Sequence, residues 1–209
     1  LLFSNIFLIC KYLLNIFTCY NNNNITICFF ILLVIFLINF LFYNIYMKKY
    51  IAELIGTALL VLIGCGTAIF VGSGAGSVLS IALAFGVALI LISYLISNIS
   101  GAHVNPAVTI ALALAGKFSW NKVLGYILAQ ILGALLGSVI LFAIVSNMEN
   151  SALFINNGFA TNSLMFGVGN MSAALIEIVM TMVFCLVILN TTKHNWVANN
   201  TPIASGLAL

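Results

Sequence analysis

The decapeptide SGAHVNPAVT, Ser100–Thr109, gathers polar and backbone-breaking residues inside an otherwise apolar stretch. Pro106 lacks an N–H and is preset for the first turn of a helix. Asn105 is then the natural N-cap, its side-chain oxygen accepting from a free backbone N–H just inside that helix. Its NH2 stays available to donate elsewhere. The helix start carries about half a unit of positive charge. Upstream, Gly101 and Ala102 are small enough for the backbone to come close to its neighbours. With Ser100–Val104 non-helical, the carbonyls of Gly101, Ala102, His103 and Val104 would accept from a passing polar solute, and Asn105 would donate. Non-helical backbone survives at membrane depth only when packed on protein or lining a wet cavity. Asn-Pro-Ala alone is a common tripeptide that usually marks a helix start in a loop, so its setting has to carry the argument.

Few other residues are equipped for chemistry. Glu53 and Glu177 are ionisable groups inside apolar runs, where function is the default suspicion. The stronger reading is a scaffold, in which a buried carboxylate accepts from the N–H groups of a non-helical loop. Gln130, mid-run, is expected to brace a re-entrant segment as well. The His103 side chain is expected to anchor the loop while its carbonyl faces the solute. No second carboxylate or base stands at a spacing that would partner Glu53, His103 or Cys65, which argues against a proton-coupled carrier or an intramembrane enzyme. The five cysteines show neither metal-ligand spacing nor a paired pattern, so no metal and no cofactor is implied.

The elements that position these residues follow from composition. The 209-residue chain is 64% hydrophobic and 4% charged, against about a quarter charged in an ordinary soluble domain. Apolar runs of about 20 residues, enough to cross a bilayer as helices, recur at Tyr50–Val71, Leu79–Asn98, Trp120–Val145 and Met171–Asn190. Together these predict an all-α polytopic membrane protein. Ala107–Ala115 is too short to cross and reads as a re-entrant half-helix within residues 99–116. Residues 146–170 read as a polar loop. Six lysines stand against three glutamates, with no arginine or aspartate, and nothing clusters into a nucleic-acid-binding surface. With residues 99–116 re-entrant, Lys48, Lys49, Lys117, Lys122 and Lys193 all fall on one face, expected to be cytoplasmic. Gly133 and Gly137 form a GxxxG face suited to close helix packing.

Residues 1–46 differ from the rest, lacking Ala, Gly, Pro, Asp, Glu and Met. The expectation is that Met47 is the true start and that 1–46 is misread upstream sequence, with an extra anchor at Ile25–Tyr46 as the rival. An internal repeat lays ELIGT (Glu53–Thr57) over EIVMT (Glu177–Thr181) and IALAF (Ile81–Phe85) over SGLAL (Ser205–Leu209). The first repeat is then 47–145 and the second, incomplete, 171–209. An odd number of elements per repeat inverts the second copy, and its own motif would fall at about residue 229. The chain as given is expected to be a fragment, inactive by itself.

These residues resemble the aquaporin, or major intrinsic protein, family. Ser100–Thr109 is similar to that family's first signature loop. The likeness continues through AELIGT (Ala52–Thr57), LAFG (Leu83–Gly86), GYILAQ (Gly125–Gln130) and PIASGLAL (Pro202–Leu209), covering Met47 to Leu209, with 1–46 outside it. The resemblance implies an aquaporin-like inverted-repeat bundle in which two half-helices meet at mid-membrane. Asn105, Pro106 and Ala107 would form the first motif and Phe85 the aromatic side of an outer constriction, which favours water. It further implies passive single-file passage of water in a bacterial-type inner membrane, a homotetramer when full length, and no enzyme activity. The alternative is a facilitator of glycerol or another small neutral solute, since the loop looks equally at home there.

Overall fold

Hydrophobic length sets the architecture. In the computed structural model, residues 47–71, 75–149, 151–156, 158–161, 164, 167–192 and 200–209 are described. The expectations for residues 1–46, and for Lys193 and His194, lie outside the described residues. Among those described there are seven helices and no strand: α1 (Lys48–Val71), α2 (Ala75–Ser100), α3 (Pro106–Leu114), α4 (Trp120–Ser146), α5 (Ser151–Asn156), α6 (Asn170–Thr191) and α7 (Thr201–Ala208). Four of them, α1, α2, α4 and α6, are long and apolar enough to span a membrane. At nine residues α3 reaches about 13 Å, less than half of a hydrocarbon core about 30 Å thick.

Small residues let the helices touch. A Cβ on Gly133 would strike the backbone of Leu54, and one on Gly137 would come within 2.7 Å of the Ala58 carbonyl oxygen, so the GxxxG face of α4 lies against α1. Gly64 of α1 receives the Phe85 ring, and Gly56 faces Ile96 and Val104. At the crossing of α2 and α7, Gly86 and Gly206 each leave room for the other's carbonyl oxygen. The buried core around these contacts includes Ala52 of α1, Leu89 and Ile92 of α2, Val108 and Leu112 of α3, and Phe184 and Ile188 of α6. Outward residues are also apolar: Met171, Leu175 and Ile178 of α6 are 78%, 60% and 64% exposed, as suits lipid as solvent.

The segment read as a plain loop, 146–170, is more structured than its polarity suggests. It contains α5, whose Phe154 ring sits edge-on to Phe70 at 5.7 Å. Phe159 meets Phe142 at 6.1 Å, and both aromatics of the segment pack on the cluster of Ile69, Leu141 and Val145. These scattered apolar residues fold the segment over the ends of α1 and α4. The span α2 also begins at Ala75, four residues before the apolar run starts.

The basic residues gather at the other end. Tyr50 and Tyr126 rings meet at 5.6 Å, which puts the starts of α1 and α4 together. Lys117 Nζ donates to Leu189 O and Thr192 Oγ1, both at 2.6 Å, so α6 ends there as well. Lys48, Lys49, Lys117 and Lys122 therefore share one end of the bundle.

Candidate functional site: a braced loop ahead of a half-helix

Five residues, Gly101–Asn105, interrupt the helical backbone between α2 and α3, and Ser100, expected in the non-helical stretch, instead closes α2. Gly101, Ala102 and Val104 have φ of 95°, 52° and 40°. The left-handed region suits glycine and is a rare place for a β-branched residue, so Ala102 and Val104 each carry about 1–3 kcal/mol of strain. Surrounding bonds hold them there. Gly101 N–H donates to Ser97 O at 2.9 Å, Ala102 N–H to Ser100 Oγ at 3.1 Å, and Tyr126 Oη to Ser100 O at 2.8 Å.

The principal brace is Glu53, fully buried on α1. Its Oε1 accepts from His103 N–H at 3.0 Å, and its Oε2 from Val104 N–H at 2.7 Å and Gln130 Nε2 at 2.8 Å. These three donors occupy a carboxylate that would otherwise be very costly inside a membrane. Gln130 Nε2 also donates to Thr109 Oγ1 at 3.0 Å, tying α4 to α3. Thr109 Oγ1 donates in turn to Asn105 O at 3.1 Å and lies 3.1 Å from His103 Nδ1. A threonine hydroxyl has one proton, so giving it to Asn105 O leaves this oxygen to accept from an Nδ1–H. The His103 ring is boxed by Phe118 at 4.7 Å and Tyr126 at 5.0 Å.

A fixed peptide plane converts this brace into a direction. No described peptide bond is cis. In a trans peptide the C=O and N–H point opposite ways. His103 N–H and Val104 N–H point at Glu53, so the carbonyls of Ala102 and His103 point away from it. Gly101, Ala102 and His103 also line a cavity of about 350 Å3, together with Leu89, Ser93, Ser97, Val108, Leu112, Phe184 and Ile188 among others.

The half-helix starts and stops by standard capping chemistry. Asn105 is extended (φ −152°, ψ 127°), and its Oδ1 accepts from Ala107 N–H at 2.8 Å. Pro106 follows at the first helical position. At the far end Gly116, at φ 71°, donates to Ala113 O, and Lys117 N–H donates to Leu112 O, the paired bonds of a Schellman motif. Depth follows from α4. Gln130 stands ten residues after Trp120, about 15 Å along that helix, and it grips Thr109 in the second turn of α3. From there α3 returns to the end where α4 begins. At nine residues it is too short to span a bilayer core.

The geometry brings together Glu53, Gln130, His103, Val104 and the Asn105 carbonyl. Asn105, Pro106 and Ala107 lie outside the cavity lining described above, as does Phe85, which is half-buried against Gly64. Glu177 is exposed on α6, and the loop Gly101–Val104 is braced without it. Thr109, Tyr126, Phe118 and Ser100 were not singled out from sequence. Two of them carried a signal: Thr109 is four residues after Asn105, and Tyr126 four before Gln130, spacings that place each pair on one helix face.

Comparison with known proteins identifies the family. The family model described as "Major intrinsic protein" matches residues 43–209. That match begins four residues before Met47, so 43–46 fall inside the family-like region rather than outside it. An Aquaporin Z of Rhodopseudomonas palustris is 40% identical over 170 residues, 78% of this chain and 70% of that one. An Aquaporin Z of Bradyrhizobium diazoefficiens is 40% identical over 171 residues with the same coverage. Among solved structures, the aquaglyceroporin from Plasmodium falciparum superposes with a TM-score of 0.65 at 26% identity, covering 78% of this chain and 69% of that one. On the family match and these identities, the chain belongs to the major intrinsic protein family.

Proposed function

We propose that this chain builds part of a passive channel for water. The observation that carries the reading is Glu53 holding two adjacent N–H groups, which turns the Ala102 and His103 carbonyls away from it in a loop that lines the cavity. Water in single file donates to those carbonyls and accepts from the free NH2 of Asn105. Selection is by pore width and hydrogen-bond matching, with no covalent step, no cofactor and no metal. Phe85 would narrow the outer end, and the positive N-terminus of α3 would repel cations. Glu177, at the repeat position equivalent to Glu53, would brace the loop of a second motif. The relatives named Aquaporin Z support water as the solute.

The basic end of the bundle would face the cytoplasm, in an inner membrane. Assembly would be a homotetramer. The likeness to an aquaglyceroporin favours one second reading, a facilitator of glycerol or a similar small neutral solute. Stopped-flow shrinkage of vesicles carrying the natural protein separates the two. Water flux well above that of empty vesicles with glycerol entry at the lipid background supports the water reading. Fast glycerol entry with Phe85 in place would transfer the assignment to the second.

A further inference from the structure

The end of α6 is completed from outside the helix. The last carbonyls of a helix lack donors of their own, and the last turn of α6 holds no basic residue. Thr192 N–H serves Ile188 O at 3.2 Å, and Thr201 Oγ1, from the start of α7, serves Thr191 O at 3.1 Å. Leu189 O is served from across the bundle. Lys117 Nζ, in the turn that ends α3, donates to it and to Thr192 Oγ1, both at 2.6 Å. Thr192 can accept because a hydroxyl has one proton and two lone pairs, and its proton goes to Ile188 O or Leu189 O. A cation suits this place, since the C-terminus of a helix carries about half a negative charge.

Little else fixes α6. Its buried residues, among those described, are Phe184 and Ile188. Phe184, Ile188 and Thr192 follow one another at four-residue spacing, share a helix face, and all line the cavity. Lys117 therefore grips the same stripe of α6 that forms one cavity wall. The next residue, Phe118, stands 4.7 Å from the His103 ring. One short turn thus touches both the loop Gly101–Val104 and the α6 wall.

We propose that Lys117 is a positioning residue for conduction: by capping α6 from the turn after α3, it fixes the separation of the α6 wall from the loop, and with it the width of the cavity at its basic end. This rests on the channel reading above. Lys117 acts through Leu189 and Thr192 and need not touch the solute. Without its ammonium group the end of α6 loses two charge-assisted bonds, and the wall bearing Phe184 and Ile188 drifts into the passage.

The test uses the natural protein and three variants. Lys117→Met keeps the stem and loses the donors, Lys117→Arg keeps donors, and Thr192→Val removes the acceptor on the α6 side. Spin labels at Leu114→Cys and Met180→Cys, both exposed positions, in a background freed of native cysteines, read the separation of α3 and α6. Stopped-flow shrinkage of vesicles reads water permeability per folded protein. Loss of charge-assisted bonds at a solvent-screened site predicts that Lys117→Met broadens the distance distribution and lowers water permeability roughly threefold. Thr192→Val broadens the distribution too, while Lys117→Arg matches the wild type in both readouts. Wild-type distances in Lys117→Met overturn the proposal, as does a Lys117→Arg protein that behaves like Lys117→Met. Broadened distances with wild-type permeability overturn it as well, because the bond would then serve stability only. Should Lys117→Met fail to fold, an unchanged distribution in Thr192→Val is the contradicting result. A wild type that conducts no water overturns the channel reading itself, which the spin-label distances do not depend on.

Discussion

Replacing Glu53 by alanine would strip the loop of its main acceptor. Three donors, His103 N–H, Val104 N–H and Gln130 Nε2, lose their partner together. Each buried donor left unpaired costs about 1–3 kcal/mol, or on the order of 3–9 kcal/mol for the set. That is comparable with the whole stability of a typical domain, about 5–15 kcal/mol. It also removes what holds Ala102 and Val104 in left-handed conformations that carry their own strain. Glu53→Ala is therefore expected to lower the thermal midpoint in detergent sharply and to yield little folded protein. Glu53→Gln is the informative companion. Its oxygen can continue to accept from Val104 N–H and Gln130, while its NH2 faces the His103 N–H and loses that bond, a cost of about 1–3 kcal/mol. Enough should fold to reconstitute, and the freed Ala102–His103 peptide should reduce water permeability per folded protein several-fold in stopped-flow light scattering. Wild-type melting and wild-type permeability for both variants would refute the argument that Glu53 sets the carbonyls.

Further outcomes follow from the same contacts. Asn105→Ala removes the cap on Ala107 N–H and should destabilise the protein by about 1 kcal/mol in chemical unfolding, with a fall in water permeability. Gly133→Val places side-chain atoms where the Leu54 backbone lies and should abolish accumulation of folded protein in membranes, as judged by detergent extraction and gel filtration. Tyr126→Phe deletes the bond to Ser100 O but keeps the ring beside His103, so a loss of about 1 kcal/mol with near-normal permeability is expected.

The half-helix was legible in the sequence because two independent limits met on it. Asn105–Pro106 announces a helix start by capping chemistry, and the apolar run that follows is too short to cross. Glu53 was legible because an unpartnered carboxylate in an apolar helix needs donors, and only a non-helical segment has spare ones. What composition hides is which neighbours close the network. Thr109 looks like an ordinary helical threonine until Gln130 reaches it from α4. Phe118 and Tyr126 are two aromatics among many, and only tertiary packing sets them on either side of His103. Val104 is a residue type that avoids positive φ, so no local preference reveals the conformation that Glu53 imposes on it. The short helix α5 was hidden by its polar surroundings, since its apolar residues are too few to show a period and act by packing on the ends of α1 and α4.

The claim on which the account turns is that α3 enters the membrane and returns by the side it came from. Single cysteines at Asn98 and Ser119, in a background freed of the native five, bracket the segment. Labelling with a membrane-impermeant maleimide in sealed vesicles of known orientation reads which face each one reaches. Both cysteines should react from the same face, the one that carries Lys48 and Lys122. Reaction of Asn98→Cys and Ser119→Cys from opposite faces would mean that residues 99–118 cross the bilayer, and the re-entrant half-helix would be wrong.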